Sequence, residues 1–378
     1  MKIAFAIVDL FPGGGLQREC IKLAAILSSR GHAVTIFAER TWGALPESLT
    51  VKLLSNGART NHGRQFRFAN DVARRCEGRF DRVVGFGVLK DLDVLYCADA
   101  SFALRPQSFA SRLTGRMKTF VALEGDSFAP GRKTLCLLLS QEQMVSFRRA
   151  WSTEPERLKL IPPYIEIDRR RPELRNDDVR SKIRSGLDFT ADDLVWLAVA
   201  SQPKVKGLDR TLMAMKELPD ARLMVAGLEP GTKRARPAQK LINQHRLQDR
   251  VRLLGFRDDI PELMAAADLL VHPARYDTTG GVIVESIING LPVIATMDCG
   301  YAPHVTDSDA GVVLQQPFDQ QQFVAVLKAS GSPSQRALWS RNGIAYGKTA
   351  DLYAGADHVA DDIESYRRPG GFQPDESM

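Results

Sequence analysis

Residues 1–37, MKIAFAIVDLFPGGGLQRECIKLAAILSSRGHAVTIF, contain two short apolar runs separated by a glycine-rich turn and an amphipathic segment. The runs, residues 3–8 and 33–37, are apolar nearly throughout, as in parallel strands that are covered on both faces. The apolar residues between them recur at the spacing of one helix face: Leu16, Cys20, Leu23, Ala24 and Leu27. The stretch therefore predicts a strand, a helix and a parallel strand, the repeating unit of a doubly wound α/β sheet.

The same alternation continues along the chain and is interrupted once. Further strand-length runs occur at residues 51–54, 82–86, 94–98, 135–139, 194–200, 222–226, 251–254, 268–272, 292–296 and 311–314. Between 139 and 194, two adjacent prolines and the charged stretch 168–178 predict a connection between domains. We expect Rossmann-like domains at residues 1–165 and 166–352, facing each other across a cleft. A helix at about 353–370 is expected to pack back on the first domain.

Length and composition are those of a soluble two-domain protein. The chain has 378 residues, of which 44% are hydrophobic and 25% charged. Its longest apolar runs have strand length, so we expect no membrane-spanning helix and no signal peptide. The five scattered cysteines form no C-x-x-C pair and predict buried thiols rather than a zinc site or disulfides. The net charge of +6 is modest, and we expect no nucleic-acid partner.

The loops that follow strands are the candidate ligand sites, because ligands of open α/β sheets bind at the carboxyl ends of the strands. The first such loop contains Gly13, Gly14 and Gly15, which let the backbone approach a ligand and precede a helix that offers free N–H groups to an anion. A tight turn without a ligand explains the same glycines. The G-x-G-x-x-G pattern is absent, so a dehydrogenase is not favoured.

Two loops of the second half carry charged side chains. Residues 201–209 combine Lys204 and Lys206 with Gly207 at a helix start, which suits phosphate binding, although a solvated basic turn has the same composition. In residues 273–285, Asp277 precedes Gly280 and Gly281, and Glu285 is expected near the first turn of the helix that they open. That helix N-terminus suits a pyrophosphate, whereas an acid stabilising the helix dipole is the alternative for Glu285.

The D-x7-E pattern followed by NGLPVIAT resembles the E-x7-E segment of retaining GT4 glycosyltransferases, which have the two-domain GT-B fold. Other segments resemble the lipopolysaccharide core heptose α-1,3-glucosyltransferases, which use UDP-glucose, and the resemblance covers residues 1–353. These segments are FPGGGLQRE (11–19), TNHGR (60–64), DRVVGFGVLKDLDV (81–94), TEPERLKLIPP (153–163), ELMAAADLLVHPA (262–274) and CGYA (299–302).

The resemblance implies roles for individual residues. Asp99, Lys206, Asp277 and Glu285 are expected to be catalytic, with Asp99 and Glu124 on the acceptor side. Lys206 and Ser201 would bind the pyrophosphate, Asp277 the sugar hydroxyls and Glu285 the ribose. The other donor contacts would be Gly14, Gly15, Gly255, Arg257, Thr278, Thr279, Gly280, Gly281 and Val282.

Some positions depart from the family pattern. Asp277 is one methylene shorter than the usual glutamate, and Val205 stands where arginine is common. Asp91-Leu92-Asp93 matches the D-x-D of metal-dependent transferases, but one such pair supplies too few oxygen ligands for a hard cation. We therefore expect neither a metal nor another cofactor.

The segment 101–123 contains Arg105, Arg112, Arg116 and Lys118, interleaved with aromatic and aliphatic residues and no acid. This composition suits the surface of an anionic membrane, and the matching region of the resembling enzymes associates with membranes. A solvated helix face is the alternative. We expect a cytoplasmic protein, peripheral on the inner face of the cytoplasmic membrane.

The expected function is transfer of a hexose, with glucose favoured, from a UDP-sugar to a sugar of the lipopolysaccharide core with retained configuration. Two alternatives stay open. A GT-B sugar-nucleotide epimerase would act on the donor alone. A membrane-associated scaffold would retain the nucleotide site without catalysis, because a fold does not guarantee a function.

Overall fold

The computed structural model describes residues 1–12, 14–54, 57–105 and 114–367. The chain forms two compact units. The first comprises Met1–Pro162 together with the chain from Ala354 onward, and the second comprises Pro163–Tyr353. No helix of the described residues is long and apolar enough to cross a membrane.

Seven parallel strands form the sheet in the described part of the first unit, in the order β3-β2-β1-β4-β5-β6-β7. The strands are β1 (Lys2–Leu10), β2 (Ala33–Thr41), β3 (Thr50–Leu53), β4 (Arg82–Phe86), β5 (Val94–Cys97), β6 (Leu135–Leu138) and β7 (Leu158–Leu160). The helices are α1 (Gly15–Ser29), α2 (Asn61–Cys76), α3 (Gly115–Phe128) and α4 (Gln141–Trp151). The strand order reverses between β1 and β4, which marks the switch point where ligands of such sheets bind.

The last helix of the chain, α13 (Gly355–Ser365), belongs to the first unit and packs on α1. It buries Val359, Ala360 and Ile363. On its polar side, the Arg30 guanidinium lies 2.9 Å from Asp357, 2.7 Å from Asp361 and 2.8 Å from Glu364. Three carboxylates around one guanidinium therefore tie the end of the chain to the first helix.

The second unit, all of whose residues are described, has a six-stranded parallel sheet in the order β10-β9-β8-β11-β12-β13. Its strands are β8 (Leu194–Val199), β9 (Ala221–Ala226), β10 (Val251–Leu253), β11 (Leu269–His272), β12 (Val293–Thr296) and β13 (Gly311–Leu314). Its helices are α5 (Asp177–Ser185), α6 (Leu208–Met215), α7 (Arg236–Gln244), α8 (Ile260–Ala266), α9 (Gly281–Ile288), α10 (Pro303–Asp307), α11 (Gln320–Ala329) and α12 (Pro333–Thr349).

The central strands of both sheets are buried on both faces, as their continuous apolar composition predicts, whereas the edge strands β3 and β7 are partly exposed. In β4 and β12, every residue is buried. Two separate apolar clusters cover the faces of the second sheet, one containing Trp196 and Phe323 and the other containing Leu197 and Ile287. Each unit is therefore a Rossmann-like sheet with helices on both sides, and the expected fold class is confirmed.

Candidate functional site

Three side chains meet at the carboxyl edge of the second sheet. The Lys206 Nζ donates to Asp277 Oδ2 over 2.5 Å, and the His272 Nε2 lies 3.0 Å from the same oxygen. Lys206 is in the loop after β8, His272 ends β11, and Asp277 is in the loop after β11. Since β8 and β11 are neighbours in the sheet, both loops emerge at the same place. The structure thus brings together two of the residues expected to be catalytic.

The charges around Asp277 decide its protonation. Its side chain is 12% exposed, and burial alone would raise its pKa. The hydrogen bond to His272 and the positive charge of Lys206 outweigh burial and lower the pKa of Asp277 to about 2. The carboxylate is therefore ionised at neutral pH. His272 is 1% exposed, and its role as a partner of Asp277 is missed by motif reasoning because it stands inside an apolar strand.

Backbone contacts hold the two loops together. Gly207 has a φ of +71°, and a Cβ atom there would lie 1.9 Å from the Pro273 carbonyl oxygen, so no other residue fits. The Arg275 N–H donates to the Val205 carbonyl over 2.8 Å, and its guanidinium pairs with Asp209 at 2.7 Å. The position of Lys206 relative to Asp277 therefore rests on a close approach of the main chains.

The CGYA segment supports the loop that precedes α9. The Gly300 N–H donates to the Asp277 carbonyl over 2.9 Å, and the Tyr301 N–H donates to the Thr279 carbonyl over 2.6 Å. Gly280 caps α9 with a φ of +75°, so Gly281 and Val282 begin the helix with unpaired N–H groups of the kind that bind anions. The same loop contains Thr278, whose hydroxyl lies 3.0 Å from that of Tyr276.

Glu285 is the fifth residue of α9, directly after its first turn, because the helix begins at Gly281. Its carboxylate forms a two-point ion pair with Arg169, with distances of 2.8 Å to Nε and 3.1 Å to Nη2. Asn289 Nδ2 donates to the Arg169 carbonyl over 2.9 Å and so fixes the segment that carries the guanidinium. A ribose bound to Glu285 would share this carboxylate with Arg169, a partner that motif reasoning does not find.

Gly255 and Arg257, two of the expected donor contacts, lie in the loop after β10. The Gly227 N–H donates to the Gly255 carbonyl over 2.7 Å, and a Cβ at Gly227 would lie 3.1 Å from the Ser201 nitrogen, so the loops after β8, β9 and β10 adjoin. The Arg257 Nε donates to Asp259 over 2.7 Å. Phe256, which lies between Gly255 and Arg257, is 79% exposed.

Asp99 follows β5 in the first unit and is half-buried. Burial raises the pKa of Asp99, and Arg105, whose guanidinium lies 3.9 Å away, only partly opposes this. In the glycine loop, Gly14 caps α1 and Gly15 begins it. Gly13, between them and the first strand, lies outside the described residues.

Glu124, expected on the acceptor side, lies on α3 and is fully buried. Its carboxylate accepts hydrogen bonds from the Ser101 hydroxyl (2.7 Å), the Trp151 indole (2.6 Å) and the N–H of Phe102 and of Ala103. The side chain therefore organises the turn that follows Asp99.

Comparison with known proteins identifies the family. A family model described as glycosyl transferases group 1 matches residues 179–345. The lipopolysaccharide glucosyltransferase WaaG of Escherichia coli strain K12 is 34% identical over 373 residues, which cover 96% of this chain and 98% of that protein.

This chain belongs to the group 1 glycosyltransferases.

Solved structures give the same result for the fold of this glycosyltransferase. A crystal structure of WaaG, a glycosyltransferase involved in lipopolysaccharide biosynthesis, matches with a TM-score of 0.88 at 33% identity and covers 96% of this chain and 100% of that one. HepE of Anabaena, crystallised with UDP-glucose, matches with a TM-score of 0.73 at 21% identity, over 97% of this chain and all of HepE, and shows the shared fold. The expected family and GT-B fold are confirmed.

The basic segment of this glycosyltransferase is only partly described. Arg116 and Lys118 are exposed on the first turns of α3. Arg105 instead stacks over the Phe102 ring at 4.0 Å, and that ring stacks on Phe120 at 4.8 Å. Arg112 lies outside the described residues.

Proposed function

We propose that this enzyme transfers a hexose, glucose in the first instance, from a UDP-sugar to a sugar of the lipopolysaccharide core and retains the anomeric configuration. The full-length similarity to a lipopolysaccharide glucosyltransferase supports the substrate class. The observation that carries the proposal is the contact between Lys206 and Asp277 beside the N-terminus of α9. The contact places a cation, a carboxylate that can accept hydrogen bonds from sugar hydroxyls, and the N–H groups that begin α9 at one edge of the second sheet.

The donor diphosphate competes with Asp277 for Lys206. Two phosphate groups carry more negative charge than one carboxylate, so the ammonium moves to the diphosphate when the donor binds. Asp277 then accepts hydrogen bonds from hydroxyls of the transferred sugar, while His272 keeps its contact with the Asp277 Oδ2 atom. This exchange explains how a residue one methylene shorter than glutamate serves here, because His272 anchors it in position.

The chemical step requires stabilisation of the charge that develops on the leaving diphosphate. Lys206 and the N–H groups that begin α9 supply it, and preorganised donors of this kind contribute about 3–4 kcal/mol each. The departing phosphate accepts the proton of the incoming hydroxyl on the same face of the sugar. No enzymic nucleophile is used along this route, and Glu285 holds the ribose.

The first unit supplies the acceptor side. Asp99 lies at the carboxyl end of β5 with a raised pKa, and the glycines that begin α1 approach the donor phosphates. Arg116 and Lys118 meet the anionic surface of the cytoplasmic membrane, where each basic residue adds about 1 kcal/mol of attraction. The enzyme is peripheral on the inner face of that membrane.

The test is release of UDP from a panel of UDP-sugars, each with and without a truncated, heptose-terminated core oligosaccharide. Acceptor-dependent release from one sugar is the expected result and names the donor. Conversion of the donor without acceptor would instead identify an epimerase. Binding of UDP with no release from any sugar would contradict the proposal and favour the scaffold.

A further inference from the structure

Two aromatic rings form an exposed ledge at the carboxyl edge of the first sheet. Phe11 directly follows β1 and Trp42 directly follows β2, and Leu10 and Thr41 are partners in the register of these strands. The two rings stack with centroids 4.4 Å apart and planes inclined by 13°. Trp42 is nevertheless 48% exposed, so one side of the stack is open to solvent.

The ledge is built into the loops rather than formed by chance contact of mobile side chains. Gly43 has a φ of +76°, and a Cβ there would lie 2.9 Å from Cδ of Pro12. A Cβ at Gly14 would lie 3.1 Å from the Phe11 ring. The Trp42 N–H donates to the Leu10 carbonyl over 3.3 Å. The ledge is therefore continuous with the glycine loop of the proposed site.

Charged side chains border the ledge in matched pairs. Arg40 donates to both oxygens of Asp9, at 2.8 and 2.9 Å, and its guanidinium carbon lies 5.8 Å from the Trp42 ring centroid. Arg64 forms a two-point pair with Glu39, at 3.0 and 2.6 Å. The positive charges of the two guanidinium groups are balanced by the two carboxylates, so these pairs do not favour a phosphate. Arg40 is 49% exposed and Asp9 is 31% exposed, so hydroxyl groups of a ligand can reach both side chains.

We propose that Phe11 and Trp42 form a stacking subsite for an uncharged sugar ring of the acceptor. Sugars carry an apolar C–H face and polar edges, and an aromatic platform with polar groups at its rim complements both. Trp42 covers the C–H face of the sugar, Arg40 donates hydrogen bonds to its hydroxyl groups, and Asp9 accepts hydrogen bonds from them. The subsite rests on the proposed function, since it names the residues that select the acceptor of that reaction.

The experiment compares Trp42→Ala with wild-type enzyme, using the heptose-terminated core oligosaccharide as acceptor. We expect KM for the acceptor to rise at least tenfold, while KM for the donor stays unchanged. Trp42→Phe, which retains an aromatic face, is expected to stay within about threefold of wild type. Phe66→Ala is the matched control, because Phe66 is 45% exposed in the same unit but lies on α2.

A binding measurement separates the subsite from the catalytic proposal. Titration of the oligosaccharide without donor is expected to shift the tryptophan fluorescence of wild-type enzyme more than that of Trp42→Phe. Of the other three tryptophans, Trp196 and Trp339 are buried, and Trp151 is partly buried with its indole bonded to Glu124. Wild-type activity with an unchanged acceptor KM in Trp42→Ala overturns the subsite alone. Absence of acceptor-dependent UDP release in the wild type overturns the proposed function, while the fluorescence shift still tests the subsite.

Discussion

Lys206 and Asp277 are 71 residues apart in the chain, and their Nζ and Oδ2 atoms are 2.5 Å apart in the structure. The contact joins the loops after two neighbouring strands, β8 and β11. It places the expected phosphate cation against the expected sugar-binding carboxylate. In the proposed reaction, the donor diphosphate binds Lys206 and the transferred hexose binds Asp277.

Replacing Lys206 with alanine is expected to lower kcat/KM for the UDP-sugar by more than tenfold, because the leaving diphosphate loses its positive partner. Lys240→Ala, which removes an exposed lysine from α7 of the same unit, is expected to leave the rate unchanged. UDP-release kinetics measure both, and circular dichroism confirms the fold. A Lys206→Ala enzyme with wild-type kinetics would remove this residue from the site.

Asp277 predicts a dependence of stability on pH. Its pKa is about 2 in the folded protein, against an ordinary value of 3.8, so ionised Asp277 stabilises the fold above about pH 4, and this contribution is lost as pH falls toward 2. By linkage it amounts to about 2 kcal/mol. Urea unfolding of wild type and of Asp277→Asn at several pH values measures it. The difference between the two is expected to shrink below pH 4, and a constant difference would contradict the assignment.

Glu285→Ala is expected to reduce activity more than tenfold by removing the proposed ribose contact. The same change leaves the Arg169 guanidinium, 23% exposed, without its carboxylate, so a small decrease in Tm accompanies it. Glu217→Ala, an exposed acid in the same unit, is the control. Binding of UDP measured by calorimetry should weaken in the first variant alone. Equal UDP affinity in both variants would contradict the ribose contact and assign to Glu285 only the ion pair with Arg169.

Glu124→Ala is expected to destabilise the first unit by about 2 kcal/mol or more. The change removes the acceptor of the Ser101 hydroxyl and the Trp151 indole and leaves these buried donors without a partner. Glu124→Gln, which keeps one oxygen, should lose less. Urea unfolding monitored by tryptophan fluorescence gives the free energies. Unchanged stability together with a specific loss of acceptor binding would contradict this structural role and indicate that Glu124 contacts the acceptor.

Neutralising Arg112, Arg116 and Lys118 together is expected to weaken binding to vesicles that contain anionic phospholipid. At about 1 kcal/mol for each residue, the partition coefficient falls roughly a hundredfold. Neutralising Arg67, Arg74 and Arg75, which are exposed on α2, gives a control with the same change in net charge. Sedimentation with vesicles at low and physiological salt measures both. Equal losses in the two variants would assign the effect to net charge alone.

Sequence patterns predict where the catalytic loops lie, but not all the contacts that their side chains make. Glycine and charge patterns identify the loops after β8 and β11, because φ angles above zero and helix starts constrain residue choice locally. These patterns do not show that Arg169 pairs with the Glu285 carboxylate, or that the Glu124 carboxylate accepts hydrogen bonds from the turn at 101–103. Both outcomes depend on segments that meet only after folding. The stacking of Phe11 on Trp42 likewise depends on β1 and β2 being adjacent.

The amino-acid sequence by itself determined the alternation of strands and helices, the division into two Rossmann-like units and the family, because each depends on local periodicity or on contiguous motifs. The tertiary structure decided which side chains meet. The order of strands in the second sheet places β11 beside β8 although two other strands intervene in the chain. The contact between Lys206 and Asp277 follows from that arrangement, since the loops after neighbouring strands emerge side by side. Arg169 reaches Glu285 from the segment that precedes β8.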